Sequence, residues 1–385
     1  MRRRVRYVAP ALSLVGIVIA GLLTWQLFVN PGFVASPGNA DKSQGPGVVV
    51  HNTPAPSDVV VTNPEVTVPG TLVYVKLGNL WVQNGSRTRQ ITVSVDGSAA
   101  SQPTWSPDGQ WIYYIDTRIT NGKWYNPNVG NAVDSYKLYY PVLCRAKPDG
   151  TGREDVLSGL IVSKSLKTFY WIRQPSISPD GNMAVVVSDG PTGPGDAGTV
   201  LHLVDLAKRR LLGELGMPER RPLGHGDPSY SQDGSRIAYV MEGRSGSRGV
   251  PSVWLYDVAQ KKGKKLAVGY RGPSWSPDGR FLAVTKVSGD RLDIVILDVA
   301  TGKEVGRVTS DGSSWAPVWS QRGDELVYMH LDGSVVDLYM VHVTTDAAGA
   351  FIFKVEPNLT QYSGLDGSSR AAWYIPSMDR ASPAP

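Results

Sequence analysis

Five histidines and one cysteine are the side chains of this 385-residue chain best suited to metal or nucleophile chemistry. His51, His202, His225, His330 and His342 do not stand at ligand spacings, and neither a His-Glu-x-x-His motif nor a Cys-His cluster occurs. Gly-x-Ser-x-Gly, which exposes a serine nucleophile on a strained turn, is absent; Gly243-Arg244-Ser245-Gly246 falls one residue short. His202 and His342 lie in apolar strand patterns, where a half-buried structural role is expected. His225 is set apart by its surroundings, Leu223-Gly224-His225-Gly226-Asp227. A His-Asp pair there could bind a ligand or a metal, and His225 could also be a plain turn residue. Asp257 and Asp298 recur at strand ends, which suits carboxylates that cap turns better than a single active site. No catalytic residue, metal or cofactor is expected.

The elements that must position such residues are repeats. Pro273-Ser274-Trp275-Ser276-Pro277-Asp278-Gly279 reads as a strand ending in a forced turn, with Arg280-Phe281-Leu282-Ala283-Val284 as the returning strand. Proline presets φ for the turn and glycine supplies the positive φ that closes it. Related stretches begin at Pro103, Pro175, Pro228 and Pro317, so the motif occurs five times. Repetition at such spacing marks a propeller or solenoid. Between the turns lies a second pattern, an apolar strand ending in Asp, a small polar turn and another strand, as in Asp293-Ile294-Val295-Ile296-Leu297-Asp298. Each unit therefore has four strands, a to d, which is a propeller blade. Before the first motif stand strands b, c and d without an a, and Ala371-Ala372-Trp373-Tyr374-Ile375-Pro376 is an a with nothing after it. Together they make one more blade, closed by the carboxy-terminal strand beside Leu72.

The Trp-Ser-Pro-Asp-Gly turn with its Asp-Val-Ala-Thr-Gly-Lys strand end, here Asp298 to Lys303, resembles the TolB-type, WD40-like bacterial propeller over about Gly70 to Pro376. The resemblance implies an all-β, six-bladed propeller of four-stranded antiparallel blades. It leaves function open among a periplasmic scaffold, a sensor ectodomain and a domain attached to a peptidase. Where TolB carries a separate α/β domain before its propeller, an anchor and a stalk are expected here.

Meander topology places a-b and c-d turns on one face, and b-c turns and d-to-a crossings on the other. The second face holds most of the long insertions: 117–136, carrying Trp124, Tyr125 and Tyr136; 158–174, carrying Phe169, Tyr170 and Trp171; 189–198; 243–251; and 217–226, with His225 followed by Asp227. Long loops on a rigid scaffold are where binding resides. Trp124, Tyr125, Tyr136, Tyr170, Trp171, His225 and Asp227 are the expected ligand-binding residues, and removal of 119–133 is expected to spare the fold. Aromatic side chains of the crossing could instead cover the core between blades. An alternative hydrolase or lactonase site at the channel mouth needs acidic and amide side chains where the inner strands start. Those positions hold Gln102, Gln174, Asp227, Gly272 and Ala316, a poor cage for a calcium ion.

Residues 1–6 hold four arginines, which supply nearly all of the net charge of +5, so the basic balance does not argue for nucleic acid. Residues 7–29 are apolar apart from Ser13, Thr24 and Gln26. A helix of that length covers roughly 34 Å, enough for a hydrocarbon core of about 30 Å. A single-pass transmembrane helix is expected, with the arginines inside and the propeller outside a bacterial cytoplasmic membrane; a cleaved signal peptide is the rival reading. Residues 30–69, rich in Pro, Gly, Val and Ser, read as an extended stalk, and 377–385 as a disordered tail. The chain is thus expected to be a non-catalytic module for an extracytoplasmic protein, peptide or glycan, with a channel-mouth hydrolase or a sensor ectodomain as alternatives.

Overall fold

The computed structural model describes residues 59–377 other than 96, 127–131, 164–165, 192–197, 217–223 and 243–249, and side chains of 124–134 are left aside. The basic end, the expected membrane helix, most of the expected stalk and nearly all of the tail lie outside these residues. Among the described residues no helix is long and apolar enough to cross a membrane.

The repeated turn works through its serine. Ser106 Oγ donates to Asp108 at 2.5 Å and accepts the Trp111 N–H at 2.9 Å, while the Gly109 N–H donates to the Ser106 carbonyl. Ser178, Ser231 and Ser276 repeat this wiring with Asp180, Asp233 and Asp278. Each serine is buried, so its hydroxyl meets the polar needs of a turn that water does not reach. In the fifth copy Arg322 replaces the aspartate, and Asp324, one residue past Gly323, takes the Ser320 hydroxyl instead.

Six four-stranded antiparallel sheets follow, each ordered a-b-c-d. Blade 1 takes its a strand, Ala372–Tyr374, from the carboxy terminus and its others from Thr71–Lys76, Asn79–Asn84 and Arg87–Gln90. Trp373 pairs with Leu72, the closure expected from the orphan strands. Blade 2 comprises Ala99–Trp105, Ile112–Asn126, Ala132–Ala146 and Glu154–Ser158, and blade 3 Arg173–Ile177, Met183–Ser188, Val200–Asp205 and Arg210–Glu214. Blade 4 comprises His225–Tyr230, Arg236–Met241, Ser252–Asp257 and Lys262–Val268, and blade 5 Tyr270–Trp275, Phe281–Ser288, Arg291–Asp298 and Glu304–Arg307. Blade 6 is Ser314–Trp319, Glu325–Asp332, Val335–Thr345 and Phe351–Val355.

Tryptophans of the a strands tie blades together: Trp105 Nε1 donates to the Ala372 carbonyl and Trp275 Nε1 to that of Ser229. The apolar b and c strands supply the clusters between neighbouring blades.

The stalk reading is corrected for Val59 to Pro69. Val60, Val66 and Val68 are buried in the cluster that also holds Leu72, Leu338, Leu359 and Trp373, and the Asn63 N–H donates to the Leu359 carbonyl. An extended chain of few charges can be a free linker or an apolar cover, and the exposed seam of the closing blades makes it the second.

Glu325, at the start of strand b in blade 6, is buried, with His342 Nδ1 at 3.7 Å. Burial, with Asp324 beside it and against the pull of Arg322, pushes its carboxyl up to about 7. A carboxyl raised from 4.5 to about 7 contributes stability that is complete below about pH 4.5 and lost as pH rises through about 7. Glu325→Gln is therefore expected to gain about 1–2 kcal/mol over the parent at pH 8 and little at pH 5. Urea unfolding at the two pH values measures this; equal differences at both would contradict it.

Candidate functional site

The b and c strands of blade 2 run fifteen residues each, paired without interruption from Ile112–Ala146 to Asn126–Ala132. The insertion read as a loop is thus a β-ribbon that projects from the b-c face. Its foot is held by Arg118, which bridges Asp116 at 2.7 Å and Asp155 at 2.6 Å, with Arg153 also on Asp116. The crossing to blade 3 forms a second hairpin, Leu160–Ser163 and Leu166–Phe169, that leans on the ribbon. Lys167 Nζ donates to Thr120 Oγ1 at 2.7 Å, and the Tyr136 hydroxyl donates to the Lys167 carbonyl at 2.9 Å. Gly122 faces Tyr136 across the ribbon, where a Cβ would come within 2.7 Å of the Tyr136 ring.

The expected ligand-binding residues are not gathered in one place. Trp124 and Tyr125 lie on the outer half of the ribbon, paired with Asp134 and Val133. Tyr136 is half-buried between the two hairpins. Tyr170 is buried between blades, its hydroxyl donating to the Ser158 carbonyl at 2.9 Å. Trp171 is half-buried; Phe169 meets it edge-on at 4.9 Å and the Arg173 guanidinium lies 5.2 Å from its ring. His225 is buried with its ring 5.3 Å from that of Tyr239, and its N–H donates to the Thr199 carbonyl. Asp227 alone of the seven reaches the axis.

At the axis the inner strands share one device. Each of five carries a register shift, and the residue before the proline takes a left-handed backbone: Gln102 (φ 53°), Gln174 (50°), Asp227 (48°), Gly272 (57°) and Ala316 (54°). A bulge releases an N–H from the ladder, and a buried N–H needs an acceptor. The neighbouring blade supplies it. The Gln174 N–H donates to Gln102 Oε1 at 2.7 Å, that of Asp227 to Gln174 Oε1 at 2.9 Å and that of Gly272 to Asp227 Oδ2 at 3.1 Å. Ser369 Oγ serves Gln102, and where Gly272 offers no side chain, Thr285 Oγ1 serves Ala316. Gln174 Nε2 also donates to Asp227 Oδ1 at 2.6 Å. These side-chain oxygens hold the ring together, so they are committed to amides and do not form a cation cage.

Charged residues that sequence reasoning missed surround this ring. Arg271 pairs with Glu242 at 2.8 Å, and Arg173 donates to Thr199 Oγ1 at 3.3 Å. Burial pushes the Glu242 carboxyl up against the pull of Arg271, and burial draws the Arg173 guanidinium down. Arg370 occupies the sixth ring position, before Ala371, as Gln102 does before Pro103. That offset was the available signal, hidden because the closing strand lacks the Pro-x-Trp-Ser spelling.

A Ser-His-Asp grouping also occurs, between blades 5 and 6. Ser314 Oγ lies 3.0 Å from His330 Nδ1 and 3.0 Å from Asp311 Oδ1. Ser314 has no accessible surface, and aspartate and histidine both address the serine rather than forming a relay, so the grouping is not built for nucleophilic attack. Among the described residues no three His, Cys, Asp or Glu side chains converge as metal ligands.

Six such blades with a terminal strand closing the ring define a β-propeller. No protein-family model matches the chain. Over 94 residues it is 35% identical to a protein TolB homolog of Chlorobium chlorochromatii, covering 24% of this chain and 19% of that protein. Over 110 residues it is 28% identical to the uncharacterized peptidase YuxL of Bacillus subtilis, covering 26% of this chain and 16% of that protein. The matched stretch thus spans less than a fifth of the length of either relative. The crystal structure of TolB from Acinetobacter baumannii superposes with a TM-score of 0.53 at 19% identity, covering 79% of this chain and 66% of that one. The chain has the fold of a six-bladed propeller and is similar to TolB proteins over part of its length.

Proposed function

We propose that the chain is a membrane-tethered extracytoplasmic binding module that presents its b-c face to a protein, peptide or glycan and performs no chemistry of its own. The observation that carries this reading is the blade 2 ribbon. Its strands run fifteen residues where those of blade 3 run six, and a second hairpin braces it. A rigid projection beyond the blades has no part in closing the ring, so its use lies in contact with something else. Trp124 and Tyr125 near its tip, with Trp171 at its base, are the proposed contact residues. The apolar run 7–29 behind four arginines supports the tether, with the propeller outside the cytoplasmic membrane.

Because the insertion is a ribbon, excising 119–133 would leave 134–139 without partners. A matched excision of 121–137, joining Thr120 to its partner Leu138 through Asn-Gly, keeps the ladder and the Lys167 contact. It loses the Tyr136 hydrogen bond and is expected to cost only about 1 kcal/mol. In intact cells a photoreactive residue at position 124 is expected to crosslink to a partner, and one at Ala300, on the opposite face, is not. Crosslinking from Val162, on the bracing hairpin, is expected to vanish in the excised chain. Equal crosslinking from positions 124 and 300, or a Val162 crosslink that survives excision, would refute the assignment of the face.

A further inference from the structure

The axis of the propeller holds a cavity of about 200 Å3 whose lining includes Thr104, Ser176, Ser229, Ser274, Gln321 and Arg370. That is room for a small carboxylate or an inorganic oxyanion. Its wall is rich in donors. Ser176 Oγ accepts the Tyr230 N–H at 3.1 Å and Ser274 Oγ accepts that of Trp319 at 2.9 Å, which leaves both hydroxyl protons to give. Ser229 uses its carbonyl for Trp275 and keeps its hydroxyl.

Arg370 is the charge in this wall. Its Nη1 donates to the Pro273 carbonyl across the ring at 2.9 Å, and a guanidinium has four further N–H donors. Asp227 is the carboxylate whose charge reaches it, yet both Asp227 oxygens are engaged, Oδ1 by Gln174 and Oδ2 by Gly272. No carboxylate among the described residues forms an ion pair with Arg370. A half-buried cation without a paired anion has lost part of its water, and the cavity it lines makes an incoming anion worth more there than at the surface.

We propose that the axial cavity binds a small oxyanion, a carboxylate or phosphate group, held by Arg370 with the hydroxyls of Ser176, Ser229 and Ser274. The site is independent of the ribbon and of the face proposed above. Its position inside the ring would let an anion tie blade 1, which carries Arg370, to blades 3, 4 and 5.

Titration calorimetry on the full chain in detergent tests this, with acetate, inorganic phosphate, and a short peptide bearing either a free carboxy terminus or its amide. Ionic strength is fixed with chloride as the reference anion. Saturable one-site binding of at least one oxyanion is expected, weakened about tenfold or more by Arg370→Gln and about threefold or more by Ser229→Ala. Excision of 121–137 is expected to leave the affinity unchanged, which separates this site from the ribbon. Preference for the peptide acid over its amide would identify a chain terminus as the source of the anion, and preference for phosphate a free ion; either supports the site. Absence of binding beyond that of chloride overturns it. Unchanged affinity in Arg370→Gln does the same, as does unchanged affinity in Ser229→Ala should the first variant not fold.

Discussion

Replacing Trp373 with alanine is expected to lower stability by about 3–5 kcal/mol, a cost typical of emptying a buried tryptophan site. The side chain is buried in a cluster with Val66, Val68, Leu72, Tyr74 and Ile375, and its indole N–H donates to the Pro69 carbonyl at 2.7 Å. The substitution removes packing on three segments at once: the amino-terminal cover, strand b of blade 1 and the closing strand itself. The three-residue closing strand forms only three residue pairs with Thr71–Lys76, and its further ties are the Trp105 indole on the Ala372 carbonyl and the Tyr374 hydroxyl on that of Asp108. Blade 1 amides are accordingly expected to exchange faster with solvent than those of blades 4 and 5 in the variant. Urea unfolding with hydrogen exchange measures both. A loss below 1 kcal/mol, with exchange unchanged across the blades, would show that the ring does not depend on this clasp. The consequence for function is direct, because the same strand follows Ser369 and Arg370 into the axial ring.

Lys76→Met is expected to cost a similar amount, about 3–5 kcal/mol, by leaving buried carboxylates without their cation. Lys76 is buried at the end of strand b in blade 1 and donates to the Ser363 carbonyl. Asp337 and Asp366 lie near it. Asp366 accepts the N–H groups of Leu77 and Gly78, and Asp337 those of the Ser363 backbone and the Thr360 hydroxyl. Burial raises both carboxyls, their hydrogen bonds oppose that rise, and so does the charge of Lys76. Without Lys76 both are raised further. A raised carboxyl is most favourable below its unfolded value of 3.8 and loses that advantage as pH climbs through its folded value. The penalty of Lys76→Met is therefore expected to be largest near neutral pH and to shrink towards about pH 4. A penalty that grows on acidification would contradict this assignment. Together Lys76 and Trp373 tie the last crossing, from blade 6 back to blade 1, to the body of the ring.

The turn serines show what a local pattern can specify. Ser-Pro-Asp-Gly carries its own hydrogen-bond partners within six residues, so the hairpin follows wherever the sequence occurs, and counting hairpins with the unmatched end strands leads to six blades. The left-handed residues before each proline were legible as positions, since Gln102, Gln174 and Asp227 share one offset. Their linkage into a ring was not, because Gln174 and Asp227 find their acceptors 72 and 53 residues away on the preceding blade, and Gln102 finds its own 267 residues away. Tyr170 and Trp171 make the same point from adjacent positions. One is buried between blades and the other flanks an arginine, and composition does not distinguish them.

Sequence by itself determined the blade, the number of blades, the closure at Leu72 and Trp373, and the side on which the insertions emerge. Each of these rests on contacts between near neighbours or on counting. Only the tertiary structure decided that 117–136 is a ribbon, that Val59 to Pro69 covers the closing seam, that His225 is buried against Tyr239, and that Arg370 enters the axis. The reason is common to all four: burial and charge pairing depend on which surfaces the closed ring brings together, and those surfaces come from parts of the chain as much as 304 residues apart.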